Sequence, residues 1–179
     1  PRASASSGQL TGFEALLRWE HPVLGYIPPA RFIPIAERYG LIDDIGGWVV
    51  EEVCRLLVHW SRQTRQVPPI SINVSARQLR SPRLREHLRR CTQQYPIRPA
   101  WIELELTEAI LVSDDPAIRA ELAQLRQLGH KLVIDDFGTG YSSLVHLQDL
   151  QIATLKIDAS FVKNLAAGIE AALICRTMV

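Results

Sequence analysis

Two adjacent carboxylates, Asp135 and Asp136, stand directly after the apolar residues 132–134, and a glycine-rich turn with a cluster of hydroxyl side chains follows at 138–143. Short β-branched runs of this kind are typical of buried strands. Because uncompensated charge at the edge of a core is costly, the pair indicates a nearby cation. Hard divalent ions take carboxylate oxygens as ligands. For these two residues alone, a structural role as a turn cap is the alternative.

Polar residues also follow or interrupt the other segments with strand character. The predicted strands are 12–19, 69–75, 101–107, 131–136 and 153–157. Their polar groups, toward the carboxyl halves, are Glu14, Arg18, Asn73, Glu105, Glu108, Lys156 and Asp158. If the strands run parallel, these groups converge with the two aspartates, because the carboxyl ends of parallel strands meet at one edge.

The converging set has the chemistry of a site for Mg²⁺ or Mn²⁺. Glu, Asn, Glu and Asp offer only oxygen ligands, and the absence of His and Cys at these positions argues against zinc. Asp136 beside Asp135 could support a second ion about 3.5–4 Å away, the arrangement used in phosphoester hydrolysis. Arg18 could hold a phosphate group, and Lys156 could orient a water molecule or stabilise a leaving oxygen.

Helices are predicted between the strands, so the chain alternates strand and helix throughout. The predicted helices are 29–39, a segment capped by Asp43 or Asp44 that carries an apolar stripe to Trp60, 82–95, 116–128 and a last one from about Lys163 to Val179. Residues 1–11 read as a polar lead and 21–29 as a loop. The 3.6-residue period places Trp48 and Trp60 in the core.

This alternation predicts a parallel sheet with crossover helices. In an open, doubly wound sheet both faces would be apolar because helices cover both. Here one face of each strand is polar toward its carboxyl half, as at the mouth of a (β/α)8 barrel. We therefore expect a TIM-type α/β barrel, truncated because about five of the eight strands are present.

Composition restricts the class of protein further. The chain has 179 residues, of which 47% are hydrophobic and 22% charged, and a net charge of +1. These values predict one globular domain over 1–179 and no binding of a DNA or RNA polymer or a membrane surface. No apolar stretch approaches the roughly 20 residues of a membrane span. The three cysteines form no CxxC pair, so we expect buried free thiols and a reducing, cytoplasmic compartment.

Six segments in a fixed order carry a resemblance to a known family. They are GFEALLRW (12–19), the segment 21–42, SINVSARQL (71–79), ELTE (105–108), DDFGTGYSSL (135–144) and LKIDASFV (155–162). Together they resemble the EAL domain, a family of bacterial cyclic di-GMP phosphodiesterases, over nearly the whole chain. The resemblance implies hydrolysis of cyclic di-GMP to linear pGpG with two Mg²⁺ or Mn²⁺ ions, in second-messenger signalling.

The resemblance also implies roles for individual residues. The metal ligands would be Glu14, Asn73, Glu105, Asp135 and, for the second ion, Asp136 with Asp135. Lys156 would orient the attacking water, and Glu108 would brace the loop 137–143, which in this family couples the site to dimer contacts. A homodimer is therefore expected. Leu16 and Arg18 would contact substrate, and Asp158 would support the site near the guanine or the water.

Several family features are expected to be absent from this chain. The first strand, the last two strands, the AEGVE motif and the later QGY-type motif are not found, and Ala159 stands where the family commonly has Arg. A non-catalytic cyclic di-GMP receptor, an interaction module or an inactive fragment is therefore the alternative function. Unpaired edge strands also predict that the isolated chain is poorly soluble or associated.

Overall fold

The computed structural model describes residues 1–4, 6–138, 151–158 and 160. Its strands are β1 (Arg2–Ala3), β2 (Leu10–Ala15), β3 (Trp19–His21), β4 (Gly25–Ile27), β5 (Ile70–Asn73), β6 (Ile102–Thr107), β7 (Lys131–Phe137) and β8 (Thr154–Ile157). Its helices are α1 (Pro29–Tyr39), α2 (Ile42–Gln63), α3 (Ala76–Leu79), α4 (Arg83–Gln94), α5 (Glu108–Val112) and α6 (Pro116–Gln127). A 3₁₀ turn covers Pro99–Trp101. The predicted helix from Lys163 to Val179 lies outside the described residues.

The main sheet has the strand order β1-β2-β5-β6-β7-β8. From β2 to β8 every neighbouring pair is parallel and follows the chain order, and only β1 is antiparallel to its neighbour. Helices connect β2 to β5, β5 to β6 and β6 to β7. Five successive parallel strands with helical crossovers are the arrangement of a (β/α) barrel. The predicted fold class, a partial TIM-type barrel, is confirmed.

The core lies between the sheet and the helices. Alternate apolar residues of the central strands, such as Ile72, Leu104 and Ile134, are buried against the inner faces of the helices. The helices contribute Val50, Cys54 and Leu57 from α2, Leu88 and Cys91 from α4, and Ile118, Leu122 and Leu125 from α6. Because side chains alternate along a strand, the residues between these point to the opposite face. That face carries the polar groups.

Several helix boundaries agree with the sequence signals. Pro29 stands in the first turn of α1, and Gly40 ends this helix in the left-handed conformation at φ 76°. Asp115 caps α6 by accepting a hydrogen bond from the amide of Ala117 at 3.0 Å. The cap predicted at Asp43 or Asp44 is wrong, because both lie inside the first turn of α2. There their charges interact favourably with the positive end of the helix dipole.

The strand predicted at 12–19 is wrong in its second half. The strand in the main sheet ends at Ala15, and Trp19–His21 pairs instead with Gly25–Ile27 in a separate antiparallel hairpin. The imidazole Nδ1 of His21 accepts hydrogen bonds from two backbone amides of the turn, at 3.1 and 3.2 Å. The Trp19 ring packs edge-on against Phe32 of α1, with centroids 5.5 Å apart. The loop predicted at 21–29 is therefore wrong for His21 and Gly25–Ile27, which are strand residues of this hairpin.

The core position predicted for Trp48 is also wrong. Trp48 is 58% exposed, whereas Gly47, beside it on α2, is buried. A Cβ atom at Gly47 would lie 2.8 Å from the His87 ring of α4, so the bare backbone lets the two helices approach on this side. Gly47 is thus the residue that faces α4, and Trp48, the next residue along α2, faces outward. Trp60, by contrast, is half-buried against Phe13, with ring centroids 4.9 Å apart.

The sequence did not predict three short elements: strand β1 near the amino terminus and helices α3 and α5, which follow strands of the sheet. The polar lead predicted at 1–11 contains β1 and the start of β2, because Arg2 and Ala3 pair with β2. Short helices α3 and α5 follow β5 and β6, and α3 begins with a reciprocal capping box between Ser75 and Gln78. None of the described helices combines the length and apolar character that crossing a membrane requires.

Candidate functional site

Three carboxylates from three strands meet at the carboxyl ends of the parallel sheet. One oxygen atom from each of Glu14, Glu105 and Asp135 lies within 4.8 Å of the others. The residues belong to β2, β6 and β7, which are joined through β5 in parallel register. The sequence prediction that these strand-end acids converge is thus met by the geometry. Such a group of oxygen ligands has the size and chemistry to hold a divalent cation.

The ammonium group of Lys156 lies among these carboxylates. Its Nζ is 2.6 Å from Glu105 Oε1, 3.1 Å from Glu14 Oε2 and 3.7 Å from Asp135 Oδ1. Asn73, the fourth predicted ligand, donates a hydrogen bond from Nδ2 to the other oxygen of Glu14 at 3.1 Å. Lys156 and Asn73 therefore hold the Glu14 carboxylate from two sides.

The formal charge of the three carboxylates exceeds that of this lysine. Burial alone would lower the pKa of Lys156, but its contacts with Glu105 and Glu14 outweigh burial and raise it. For Glu14, burial would raise the pKa, yet hydrogen bonds from Asn73 and Lys156 hold it below its ordinary value. With all groups ionised, three carboxylates and one ammonium leave a formal charge of −2. One divalent cation would neutralise it.

Glu105 gives the sharpest indication that a cation fits here. Its side chain has no exposed surface, and burial raises the pKa of its carboxyl group, although Lys156 partly offsets this effect. Among the residues that the structure describes, Glu105 Oε2 has no hydrogen-bond donor. A buried acceptor without a partner is destabilising. An ion held by Glu14, Glu105 and Asp135 would satisfy this oxygen.

Asp136 adopts an unusual backbone conformation beside the cluster. Its φ of 53° lies in the left-handed region, which a residue with a Cβ atom seldom occupies. The pairing of β7 with β8 shifts register between Ile134 and Phe137, around this residue. Burial, followed by the charges of Asp135 and Asp158, raises the pKa of Asp136. Strained residues of this kind cluster at functional sites.

Asp158 and Glu108 lie at the border of the same site. Asp158 Oδ1 accepts a hydrogen bond from the Ser160 amide at 2.8 Å and another from the Ser160 hydroxyl. Glu108 is buried at the start of α5, and its Oε2 accepts a hydrogen bond from the Gly138 amide at 2.9 Å. This contact joins α5 to the end of β7. The remainder of the predicted loop, 139–143, lies outside the described residues.

Leu16 and Arg18 are the predicted residues that stand apart from the carboxylates. Both are exposed in the segment between β2 and β3. The guanidinium of Arg18 donates a hydrogen bond to the carbonyl of the preceding Leu17 at 2.9 Å. Their substrate contacts stay predictions.

A second charge pair, partly buried and absent from the sequence prediction, lies deeper in the same interior. Arg2 Nη2 is 2.6 Å from Glu103 Oε2, and the Ser71 hydroxyl donates to that oxygen at 3.1 Å. The alternation of β6 gave a signal for Glu103, which shares a face with Glu105. Arg2 gave none, because it stands in a polar segment with no strand pattern.

Fold and site together define a partial (β/α) barrel with a cluster of carboxylates at the carboxyl ends of its strands that could hold a cation. The family model of the EAL domain matches residues 1–179. The chain therefore belongs to the EAL domain family.

Curated relatives of the chain are much longer proteins. The chain is 41% identical over 162 residues to the oxygen sensor protein DosP of Escherichia coli, covering 90% of this chain and 20% of DosP. It is 37% identical over 180 residues to the cyclic di-GMP phosphodiesterase PA2567 of Pseudomonas aeruginosa, covering 100% of this chain and 30% of that protein. The chain thus spans less than a third of either relative.

Solved structures share the fold. The complex of the PaMucR phosphodiesterase with c-di-GMP superposes with a TM-score of 0.88 at 41% identity, covering 96% of this chain and 70% of that chain. The cGMP-bound EAL enzyme Bd1971 superposes with a TM-score of 0.86 at 32% identity, covering 98% of this chain and 49% of that chain.

Proposed function

We propose that residues 1–179 belong to one EAL-type domain that hydrolyses cyclic di-GMP to pGpG with Mg²⁺ or Mn²⁺. The observation that carries the proposal is the cluster of Glu14, Glu105 and Asp135, in which one oxygen of each lies within 4.8 Å of the others. Glu105 Oε2 is buried and has no hydrogen-bond partner among the described residues. The choice of cyclic di-GMP as substrate is supported by a relative named as a cyclic di-GMP phosphodiesterase and by a similar structure solved with c-di-GMP.

Four residues would hold the first ion: Glu14, Asn73, Glu105 and Asp135. Asp136, together with Asp135, would hold the second. When bound, the ions would polarise the phosphate and lower the pKa of a bound water. In the structure Asn73 donates to Glu14, so it would turn its amide oxygen inward to act as a ligand. The carboxylates need no such change.

Lys156 would position the attacking water. Its ammonium group is held between Glu14 and Glu105, at 3.1 and 2.6 Å, and its pKa is raised, so it stays a hydrogen-bond donor. A third proton of the same group can point to a water or to a phosphate oxygen. Lys156 would thus orient the nucleophile while its two carboxylate partners fix the lysine itself.

The remaining residues would shape the substrate site. Leu16 and Arg18, both exposed, would contact cyclic di-GMP, with the guanidinium of Arg18 available to a phosphate. Asp158 would support the water or a guanine. Glu108 would hold the start of the loop after β7 through its bond to Gly138.

The test is hydrolysis of cyclic di-GMP by the metal-free chain after addition of Mg²⁺ or Mn²⁺, followed by chromatography for pGpG. Glu14→Gln and Glu105→Gln remove one ligand charge each at nearly constant size. We expect at least about a 100-fold loss of rate in both. Glu86→Gln, on the exposed side of α4, is the matched control and should keep full activity. Full activity in E14Q and E105Q would refute the site.

A non-catalytic cyclic di-GMP receptor is the second candidate. Lys156 already offsets part of the carboxylate charge that an ion would neutralise, which favours a site that works without metal. This candidate predicts that the chain binds cyclic di-GMP equally well in EDTA and in Mn²⁺ and releases no pGpG. Calorimetric titration in both buffers separates it from the hydrolase.

We also propose a homodimer and a reducing, cytoplasmic environment. The bond between Glu108 and Gly138 supports the former, because it holds the loop that the family resemblance links to dimer contacts. The buried, free thiols of Cys54 and Cys91 support the latter. Sedimentation velocity of the wild type and Glu108→Ala tests the dimer, which the variant should weaken. An unchanged dimer would contradict the assigned role of Glu108.

A further inference from the structure

A partly buried salt bridge joins Arg2 to Glu103 in the barrel interior. The guanidinium and the Ser71 hydroxyl reach the same oxygen, Glu103 Oε2, at 2.6 and 3.1 Å. The side chain of Glu103 is only 7% exposed and that of Arg2 is 23% exposed. Burying both charges is costly unless they remain paired. Separating the two side chains would therefore be unfavourable.

Gly12 creates the space that this arginine occupies. Arg2 and Gly12 are direct partners in the antiparallel pairing of β1 with β2. A Cβ atom at Gly12 would lie 2.3 Å from Arg2 Nη2 and 3.0 Å from the carbonyl oxygen of Pro69. The guanidinium thus passes over bare backbone to reach Glu103. Its position follows from the strand pairing.

The pair lies directly beneath the candidate metal centre. Glu103 and Glu105 are two residues apart on the same face of β6, so their Cα atoms are about 7 Å apart. The lower layer, Arg2 with Glu103, is formally neutral. The upper layer of Glu14, Glu105, Asp135 and Lys156 carries a formal charge of −2. Without Arg2, the interior would carry one more negative charge.

We propose that Arg2 is a positioning residue, which neutralises Glu103 so that the group of Glu14, Glu105, Asp135 and Lys156 above it presents a charge matched to the first divalent cation. The inference rests on the metal dependence in the proposed function. A guanidinium is suited to this task because its planar, positively charged group pairs closely with a carboxylate.

The test measures binding of Mn²⁺ alone, by calorimetry and by the electron paramagnetic resonance signal of the free ion. Glu103→Gln leaves the arginine charge unpaired below the site, and we expect its Kd for Mn²⁺ to rise about tenfold. In Arg2→Met/Glu103→Gln both charges are gone, and the Kd should return to within about threefold of wild type. Thermal melts establish that each variant is folded.

Asp114→Asn is the matched control. It also leaves an arginine unpaired, Arg119, but at the surface, where the two side chains are 48% and 89% exposed. It should not change the Kd for Mn²⁺. A purely structural role for the buried pair predicts that the double variant binds Mn²⁺ no better than E103Q. That result, or an unchanged Kd in E103Q, would overturn the proposal.

A variant that does not fold and a wild-type chain that binds no Mn²⁺ are the two remaining outcomes. Where E103Q does not fold, Arg2→Met replaces it, and the extra negative charge should tighten Mn²⁺ binding; equal or weaker binding would overturn the proposal. A wild-type chain that binds no Mn²⁺ would overturn both this inference and the proposed metal dependence. Metal binding without hydrolysis of cyclic di-GMP would overturn the hydrolase alone.

Discussion

Replacing Lys156 by methionine should destabilise the metal-free chain in a way that Mn²⁺ repairs. The substitution keeps the length of the side chain and removes the ammonium that contacts Glu14, Glu105 and Asp135. The three carboxylates would then repel each other without a compensating charge. A divalent cation would supply that charge again.

The magnitude follows from the burial of the four side chains. Breaking a fully buried ion pair costs about 3–5 kcal/mol. Glu105 has no exposed surface, but Lys156, Glu14 and Asp135 are 21%, 27% and 28% exposed, so solvent screens part of the effect. We therefore expect a loss of about 2 kcal/mol, which lowers the Tm by about 4–8 °C in a chain of this size.

Thermal melts in EDTA and in saturating Mn²⁺ provide the assay. K156M should melt well below wild type in EDTA, and the gap should close by at least half in Mn²⁺. Lys131→Met is the matched control, because Lys131 is exposed at the start of β7. Equal melting of K156M and wild type in EDTA, or a gap that Mn²⁺ leaves unchanged, would refute the assignment of Lys156 as the compensating charge.

Three further predictions concern strain, pH and packing. Asp136→Gly should stabilise the chain by about 1 kcal/mol in urea unfolding, because glycine relieves the left-handed backbone at φ 53°; a lower stability would contradict the strain. Burial holds the pKa of His130 below its usual value in the folded chain. As the pH drops, the imidazole is therefore protonated in the unfolded chain before it is protonated in the folded chain, so the free energy of unfolding should fall below about pH 6.5. His130→Gln should flatten this slope in urea titrations between about pH 7.5 and 5.5, and an equal slope would argue against it. Gly12→Ala should lower the free energy of unfolding by about 1–3 kcal/mol, because its Cβ atom would clash with the Arg2 guanidinium. Adding Arg2→Ala should restore part of this stability. Strictly additive losses in the double-mutant cycle would exclude the clash.

The alternation of apolar and polar residues along each strand could be predicted from the sequence, and it identified most residues of the candidate site. Period-two patterns placed Glu14, Glu105 and Asp135 on the polar faces of separate strands, and the strand–helix rhythm predicted parallel pairing. Together these two local signals were enough to anticipate that the acids converge. They were also enough to predict the barrel class, because only its inner face can be polar at the strand ends.

Contacts between distant segments could not be predicted in this way. Trp48 fits the helical period of an apolar stripe, but α4 packs against Gly47 and Trp48 is exposed. The strand predicted through Trp19 ends at Ala15, and Trp19 instead pairs with Ile27 and packs its ring on Phe32 of α1. Local periodicity gives the face of a residue relative to its neighbours. It does not say which face another helix will cover.

By itself, the sequence determined the alternating elements, the acids at the strand ends and the family motifs, since each depends on residues close together in the chain. Tertiary structure alone decided the distances at which Lys156 contacts three carboxylates and the pairing of Arg2 with Glu103, 101 residues away. The physical reason is that charge compensation in a barrel interior depends on strand register and distance in space. A pattern of residue types along the chain contains neither.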